Sequence, residues 1–180
     1  LEVANQTILR VMVDQGSSTD ILHYRAFKKL SFKDHHLKAF GFDLVTYGYN
    51  PIVPKGYIDL PTTIDDQPEA ISTIMVRYLV INRESAFNII IGRIALNHWG
   101  AVPSSVHQYV KFPIRTGHIG IAYGDLLLAR RCYDNSMNIN AQHKLDQEDD
   151  EQERAAEANC SQWVPPPLTI YRPPRTNHIY

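Results

Sequence analysis

The sequence predicts a mainly β fold, closed into a barrel or stacked as a sandwich, with one or two short helices and a disordered C-terminal tail. Three observations lead there. Short β-rich runs recur between turn residues at roughly ten-residue intervals, helical periodicity is confined to brief stretches, and apolar patterning stops near residue 136.

Ile8–Asp14 (ILRVMVD) reads as a strand that ends on an acidic residue and runs into Gly16-Ser17-Ser18. In Asp20–Leu30 the apolar residues Ile21, Tyr24, Phe27 and Leu30 have helical spacing, which predicts a helix capped by Ser18 or Thr19. Leu44–Tyr49 and Ile52–Leu60 are β-rich around Asn50-Pro51 and predict a hairpin. Ile71–Ile81 is long and β-branched, hence a strand. Phe87–Ile91 ends at Gly92 and reads as a buried strand. Ala95–Trp99 predicts a short helix, and Val110–Pro113 and Ile119–Tyr123 two further strands.

The chain has 180 residues and a net charge of −1, which points to neither nucleic acid nor membrane as a partner. No apolar run is long enough to span a bilayer. No signal peptide is evident and the first residues already read as sheet, so the expectation is a piece of a longer product. Cys132 and Cys160 form no CxxC pair and His35-His36 lacks metal-ligand spacing, so no metal site is expected and the thiols read as free.

Charge divides unevenly. Residues 1–133 carry 14 Lys/Arg against 11 Asp/Glu, and residues 134–180 carry 4 against 8. The segment DQEDDEQERAAE is followed by Pro165-Pro166-Pro167 and Pro173-Pro174. Self-repulsion and missing backbone donors oppose folding there, beyond a short helix over Glu148–Ala158. The expected division is a domain over residues 1–136 and an acidic, Pro-rich linker over 137–180.

Two elements carry chemistry together. One is a hydrophobic strand followed by Asp14-Gln15-Gly16-Ser17, and the other is Ile90-Ile91-Gly92-Arg93. Singly, the first is an ordinary turn with a locally bonded Asp, and the second an ordinary strand end. As a pair, they resemble the aspartic proteases of retroviral type. The likeness extends through VMVDQGSSTDILHYRAFKKL, KGYIDLPTTI, VRYLVINRESAFNIIIGRIALNHWGAVPSSVHQYVKFP and GDLLLARRCYDNS. These four ordered blocks, within about residues 1–137, resemble the protease region of plant Ty3/gypsy-type LTR retrotransposon polyproteins.

The resemblance implies a retropepsin-like closed β-barrel and an aspartic endopeptidase that cuts its own polyprotein. Asp14 would be the catalytic carboxylate, one from each half of a homodimer. Gln15, Gly16, Ser17, Ile90, Ile91 and Gly92 would support the loop, and Thr46, Tyr47, Gly48 and Tyr49 would belong to a flap over the peptide substrate. It implies no cofactor, and an intracellular setting in the cytoplasm or a virus-like particle. Four positions depart from the family pattern. Gln15 stands where a hydroxyl residue is common, Thr46 and Tyr49 replace flap glycines, and Ile94 replaces a proline. These departures sustain a second reading, a catalytically decayed dimerisation or peptide-binding module. A third makes the Pro-rich tail a ligand for a partner domain. Arg93 is expected either as a surface charge or paired with Asp20 to brace the loop. His107 reads as structural, and Lys28-Lys29 as a solvated helix face.

Overall fold

The computed structural model describes residues 1–45, 51–65 and 71–139. The chain divides into two units, Leu1–His143 and Lys144–Tyr180, and every described residue belongs to the first. The flap residues Thr46, Tyr47, Gly48 and Tyr49, and the acidic tail with its expected helix, lie outside the described residues.

Strands β1 (Glu2–Val3), β2 (Gln6–Thr7), β3 (Val11–Val13) and β4 (Asp20–His23) lead into helix α1 (Tyr24–Lys29). After a 3-10 turn at Asp34–His36 come β5 (Leu44–Val45), β6 (Pro51–Ile52), β7 (Gly56–Asp65), β8 (Ile71–Ile81) and β9 (Ile89–Ile91). Helix α2 (Arg93–Trp99) then precedes β10 (Val102–Ser104), β11 (Tyr109–Pro113) and β12 (Ile119–Tyr123). A third helix, α3, spans residues 126–139. None of the helices among the described residues is long and apolar enough to cross a membrane.

Seven strands form one sheet in the order β2-β1-β7-β8-β4-β9-β3. Among the described residues this ladder is open, with β2 and β3 at its edges. A second sheet has the order β10-β11-β12, and β5 pairs with β6. The backbone of the large sheet is the β7–β8 hairpin, in register from Gly56↔Val80 to Asp65↔Ile71. Along β8, residues 71–77 alternate between more and less exposed, whereas Tyr78–Ile81 is buried throughout. The change falls where β4 joins the other side of β8 in parallel, from Asp20↔Tyr78 to His23↔Ile81. Neighbours on both sides and cover on both faces require a continuous apolar run.

That pairing corrects one expectation. Asp20–His23 is a strand rather than the first turn of a helix. Helix α1 begins only at Tyr24, after His23, and has no side-chain cap. Ile21 and Leu22 fit both periodicities, and the ladder to β8 and β9 outweighs a helical turn there. Helix α1 keeps Ala26 and Phe27 buried, and its Lys28 and Lys29 sit at the end where the helix dipole favours cations.

The hairpin expected up to Leu60 is instead the short β5–β6 pair, and β7 is a separate strand starting at Gly56. Gly56 has φ 146°, and a Cβ there would lie 2.5 Å from the Lys38 carbonyl oxygen. Only glycine allows the Lys38–Tyr57 bridge at that point. Strand β10 and helix α3 lie outside the elements that the sequence predicts. Pro103 within β10 argues against a strand from sequence, yet it sits at a sheet edge, where a missing N–H is tolerated.

Val3, Leu22, Phe27, Tyr78, Val80, Ile89 and Phe112 are among the most deeply buried side chains. One polar pair sits inside this core. Thr62 Oγ1 donates to the Leu60 carbonyl at 3.2 Å and lies 3.1 Å from the Tyr78 hydroxyl, both side chains being fully buried. The hydroxyls therefore satisfy each other, and burial pushes the Tyr78 phenol far above its ordinary value of 10.

Candidate active site

The loop from Asp14 to Thr19 joins two strands that flank a third. β3 runs parallel to β9, pairing Val11↔Ile89, Met12↔Ile90 and Val13↔Ile91. β4 runs antiparallel on the other side of β9, pairing Ile21↔Ile90 and Leu22↔Ile89. The loop must therefore arch over the C-terminal end of β9, where Gly92 begins the turn into α2. The sequence folds this way because Ile89 and Ile91 are buried and β-branched, suited to the centre of a covered sheet. Half-buried Ile90 pairs with both Met12 and Ile21.

Asp14 stands at the end of β3, half-buried, and its backbone N–H donates to the Ile91 carbonyl at 2.8 Å. The backbone N–H of Gly16 donates to Oδ1 at 2.9 Å, and the Ser17 hydroxyl donates to Oδ2 at 2.7 Å. With one donor on each oxygen the carboxylate plane is held. A Cβ on Gly16 would come within 3.1 Å of Oδ1, so a side chain there would crowd the carboxylate.

The far end of the loop is tied to α2. Gly92 is packed so closely that a Cβ would lie 2.3 Å from the Thr19 carbonyl oxygen and 3.0 Å from that of Ser17. The Arg93 N–H donates to the Ser17 carbonyl at 2.9 Å, and Gly92 N–H to Asp20 Oδ1 at 2.7 Å. Asp20 is buried, 1% exposed, and its pKa is raised by desolvation against the opposing pull of the Gly92 and Ala95 backbone N–H groups and of His98. The pairing of Asp20 with Arg93 is not formed. Arg93 is exposed, and its guanidinium donates to the Gly16 carbonyl at 3.3 Å. It braces the loop directly, because backbone donors already occupy the buried carboxylate.

Gln15 points the other way. Its side-chain amide donates to the Pro103 carbonyl on β10 at 3.2 Å. Asn88 supports the approach to β3 by donating to the Leu9 carbonyl at 2.8 Å and accepting from the Arg10 guanidinium at 3.1 Å. His107 accepts or donates to Ser104 Oγ at 2.9 Å and stacks on Tyr109, which places it in the β10–β11 turn, away from the loop's own hydrogen bonds.

A cavity of about 780 Å³ opens beside the loop. Val13, Asp14, Gln15 and Gly16 line one side, and Leu126, Ala129 and Cys132 of α3 are among the residues lining the rest. Periodicity gave no warning of α3's part in this site. The block GDLLLARRCYDNS carries only a resemblance, although its Asp125 caps the helix, accepting the Leu128 N–H at 2.9 Å. Chemically, the arrangement offers one oriented carboxylate in the lining of a largely apolar cavity. No group of three or more potential metal-binding side chains is present among the described residues.

No family model matches the chain, and no curated protein sequence does. Among solved structures it is similar to the retroviral protease-like domain of Ddi1 from Leishmania major. The two are 14% identical with a TM-score of 0.44, over 67% of this chain and 88% of that one.

Proposed function

We propose that the chain is a retropepsin-like aspartic endopeptidase, the protease domain of a plant Ty3/gypsy-type LTR retrotransposon polyprotein. The observation that carries this reading is the Asp14 loop. A carboxylate held on both oxygens by Gly16 and Ser17 sits on an arch locked to Ile91 and Gly92, beside a cavity. In this reading the large sheet belongs to the closed barrel of that fold, and the substrate is a peptide segment of the polyprotein, inside the cell.

Each chain supplies one such loop, and peptide hydrolysis of this type takes two carboxylates. A two-fold dimer brings two copies of Asp14 together. Two carboxylates about 3 Å apart cannot both ionise, the behaviour known for aspartic-protease dyads, so they share a proton. The ionised one takes a proton from water as it attacks the scissile carbonyl, and the protonated one polarises that carbonyl. Gly16 lets the loop approach the substrate closely, and Ser17 keeps its Asp14 oriented. The chemistry needs no metal or organic cofactor.

The test is peptide cleavage by the chain under acidic conditions, its block by a statine-type inhibitor, and its loss in Asp14→Asn. Mixing the variant with the native chain should poison activity, because a mixed dimer holds one carboxylate. Cleavage by Asp14→Asn alone would sink the proposal. A second reading, a decayed module that dimerises or binds peptide without cutting it, is favoured by one observation. The Gln15 amide is engaged by Pro103 of its own chain. A native chain that dimerises and never cleaves would establish that alternative.

A further inference from the structure

We propose that Arg10 is a specificity-determining residue of the cavity beside Asp14, and that it takes the carboxylate of an acidic side chain on the bound peptide. The inference rests on the protease reading above and adds to it the class of substrate segment. That segment carries Asp or Glu about three to five residues from the bond that is cut.

The charges of the cavity set the requirement. Among the described residues that line it, the charged side chains are Arg10, Asp14 and Asp125. Both acids already have donors, Asp14 from Gly16 and Ser17, and Asp125 from the Leu128 N–H. Neither pairs with Arg10, and no other carboxylate among the described residues does. Arg10 is half-buried, and its guanidinium donates to Asn88 Oδ1 at 3.1 Å. A guanidinium has five N–H donors, so most of its capacity is open. A cation drawn part-way out of water with no acid beside it loses hydration that no described carboxylate returns. A peptide carboxylate supplies the missing charge and matches the planar fork with two hydrogen bonds.

The backbone brings Arg10 to this side of the strand. Val11 and Val13 line the cavity and Met12 between them does not, as alternation along β3 requires. Continued alternation would give Arg10 the face of Met12. Arg10 instead has φ 58°, in the left-handed region that a residue with a Cβ seldom enters, and Leu9, Arg10 and Val11 all line the cavity. Asn88, just before β9, holds that conformation. Its backbone N–H donates to the Arg10 carbonyl at 2.9 Å, and its side-chain amide donates to the Leu9 carbonyl at 2.8 Å. Strain of this kind persists where the surroundings over-determine it, and here one asparagine fixes both the turn and the guanidinium. Asp14 lies four residues further on, at most about 13 Å away along the strand, a span that an extended peptide covers in about four residues.

The experiment uses the whole chain and statine-type peptides that bind without being cut. A single Glu is moved along the peptide, each form is matched by its Gln counterpart, and all are amidated so that the carboxylate is a side chain's. Fluorescence anisotropy reads Kd at neutral pH. The native chain should favour Glu over Gln by about tenfold or more at a position three to five residues from the statine. Arg10→Gln should bring that ratio to about one. Arg115→Gln removes the same charge from an exposed residue outside the lining and should keep the native ratio. A native chain that binds none of the peptides, or binds Glu and Gln forms equally at every position, would overturn the inference whether or not the variants fold. So would a preference that survives in folded Arg10→Gln, including one accompanied by weaker dimerisation, which would assign the guanidinium to a carboxylate of a second copy. An acidic preference without cleavage of the matching unmodified peptide would support the site and defeat the protease reading. Cleavage without an acidic preference would do the reverse.

Discussion

Gly92→Ala should be among the most damaging single-methyl changes in the molecule. The added Cβ would lie 2.3 Å from the Thr19 carbonyl oxygen, 2.8 Å from its carbon and 3.0 Å from the Ser17 carbonyl oxygen, where ordinary contact begins at 3.4 Å. All three are backbone atoms, so no side chain can rotate away. Relief requires the loop to lift from the start of α2, which also breaks the 2.7 Å bond from Gly92 N–H to the buried Asp20 carboxylate. Overpacking of this kind costs about 1–3 kcal/mol, and orphaning a buried acceptor costs about 1–3 more, giving about 2–6 kcal/mol together. For a domain of this size that is about 10 °C in Tm. Urea unfolding followed by circular dichroism measures it. Gly41→Ala is the control, since a Cβ at Gly41 meets nothing within 4 Å, and it should stay within about 0.5 kcal/mol of the native chain. A Gly92→Ala protein equally close to native would refute the claim that the loop is seated through this contact.

Asp14→Asn should keep the fold, seen as an unchanged circular dichroism spectrum, and lower peptide cleavage by about a thousandfold or more. Thr62→Val should cost about 1–3 kcal/mol in urea, by orphaning the Tyr78 hydroxyl, whereas Thr62→Val combined with Tyr78→Phe should cost less than Thr62→Val alone. His23 has its pKa pushed below the ordinary 6.5, mainly by desolvation and against the Arg83 carbonyl contact, and its Nε2 is buried without a partner. The unfolded chain therefore takes the proton first, and stability should fall as pH drops below about 6.5, a slope that His23→Gln should reduce. Asp20, its pKa raised by burial, acts in the opposite sense. The stability it contributes is complete below its ordinary value of 3.8 and is lost as pH rises through the folded value. Asp20→Asn should remove that loss while keeping an acceptor for Gly92, as urea midpoints across pH would report.

Much of the β framework was legible because its strands are long or strongly apolar. Ile71–Ile81 and Ile119–Tyr123 have the ends that β-branched content and flanking turn residues suggest. Ile21 and Leu22 misled because two apolar neighbours fit a helix as well as a strand, and only the ladder to β8 and β9 decides between them. The helix 126–139 was illegible for the opposite reason. Its residues are mostly exposed, and its seated stripe of Leu128, Cys132 and Ser136 holds two polar or weakly apolar residues, so no hydrophobic period marks it. At the site, motif resemblance singled out Asp14, Gly16, Ser17 and Gly92. It did not reveal that Gln15 reaches Pro103, a contact between residues far apart in sequence whose acceptor is a main-chain oxygen that no side-chain pattern encodes.

Two carboxylates in one short segment show why environment, rather than residue type, assigns roles here. Asp14 and Asp20 bracket the same arch over β9, and either could be written as the acid of a D-x-G or a D-I-L motif. Asp20 is buried and committed to the backbone of α2, holding Gly92 in the place where a methyl group would collide. It has no access to a peptide and raises the cost of its own charge. Asp14 is half-buried, faces the cavity, and takes its donors from its own loop, one on each oxygen. Moving the arch by one ångström would disturb both. On the proposed protease reading their functions separate, since loss of Asp20 should be read in stability and its pH dependence, and loss of Asp14 in chemistry alone. A chain in which Asp20→Asn abolished cleavage at unchanged stability would contradict that division.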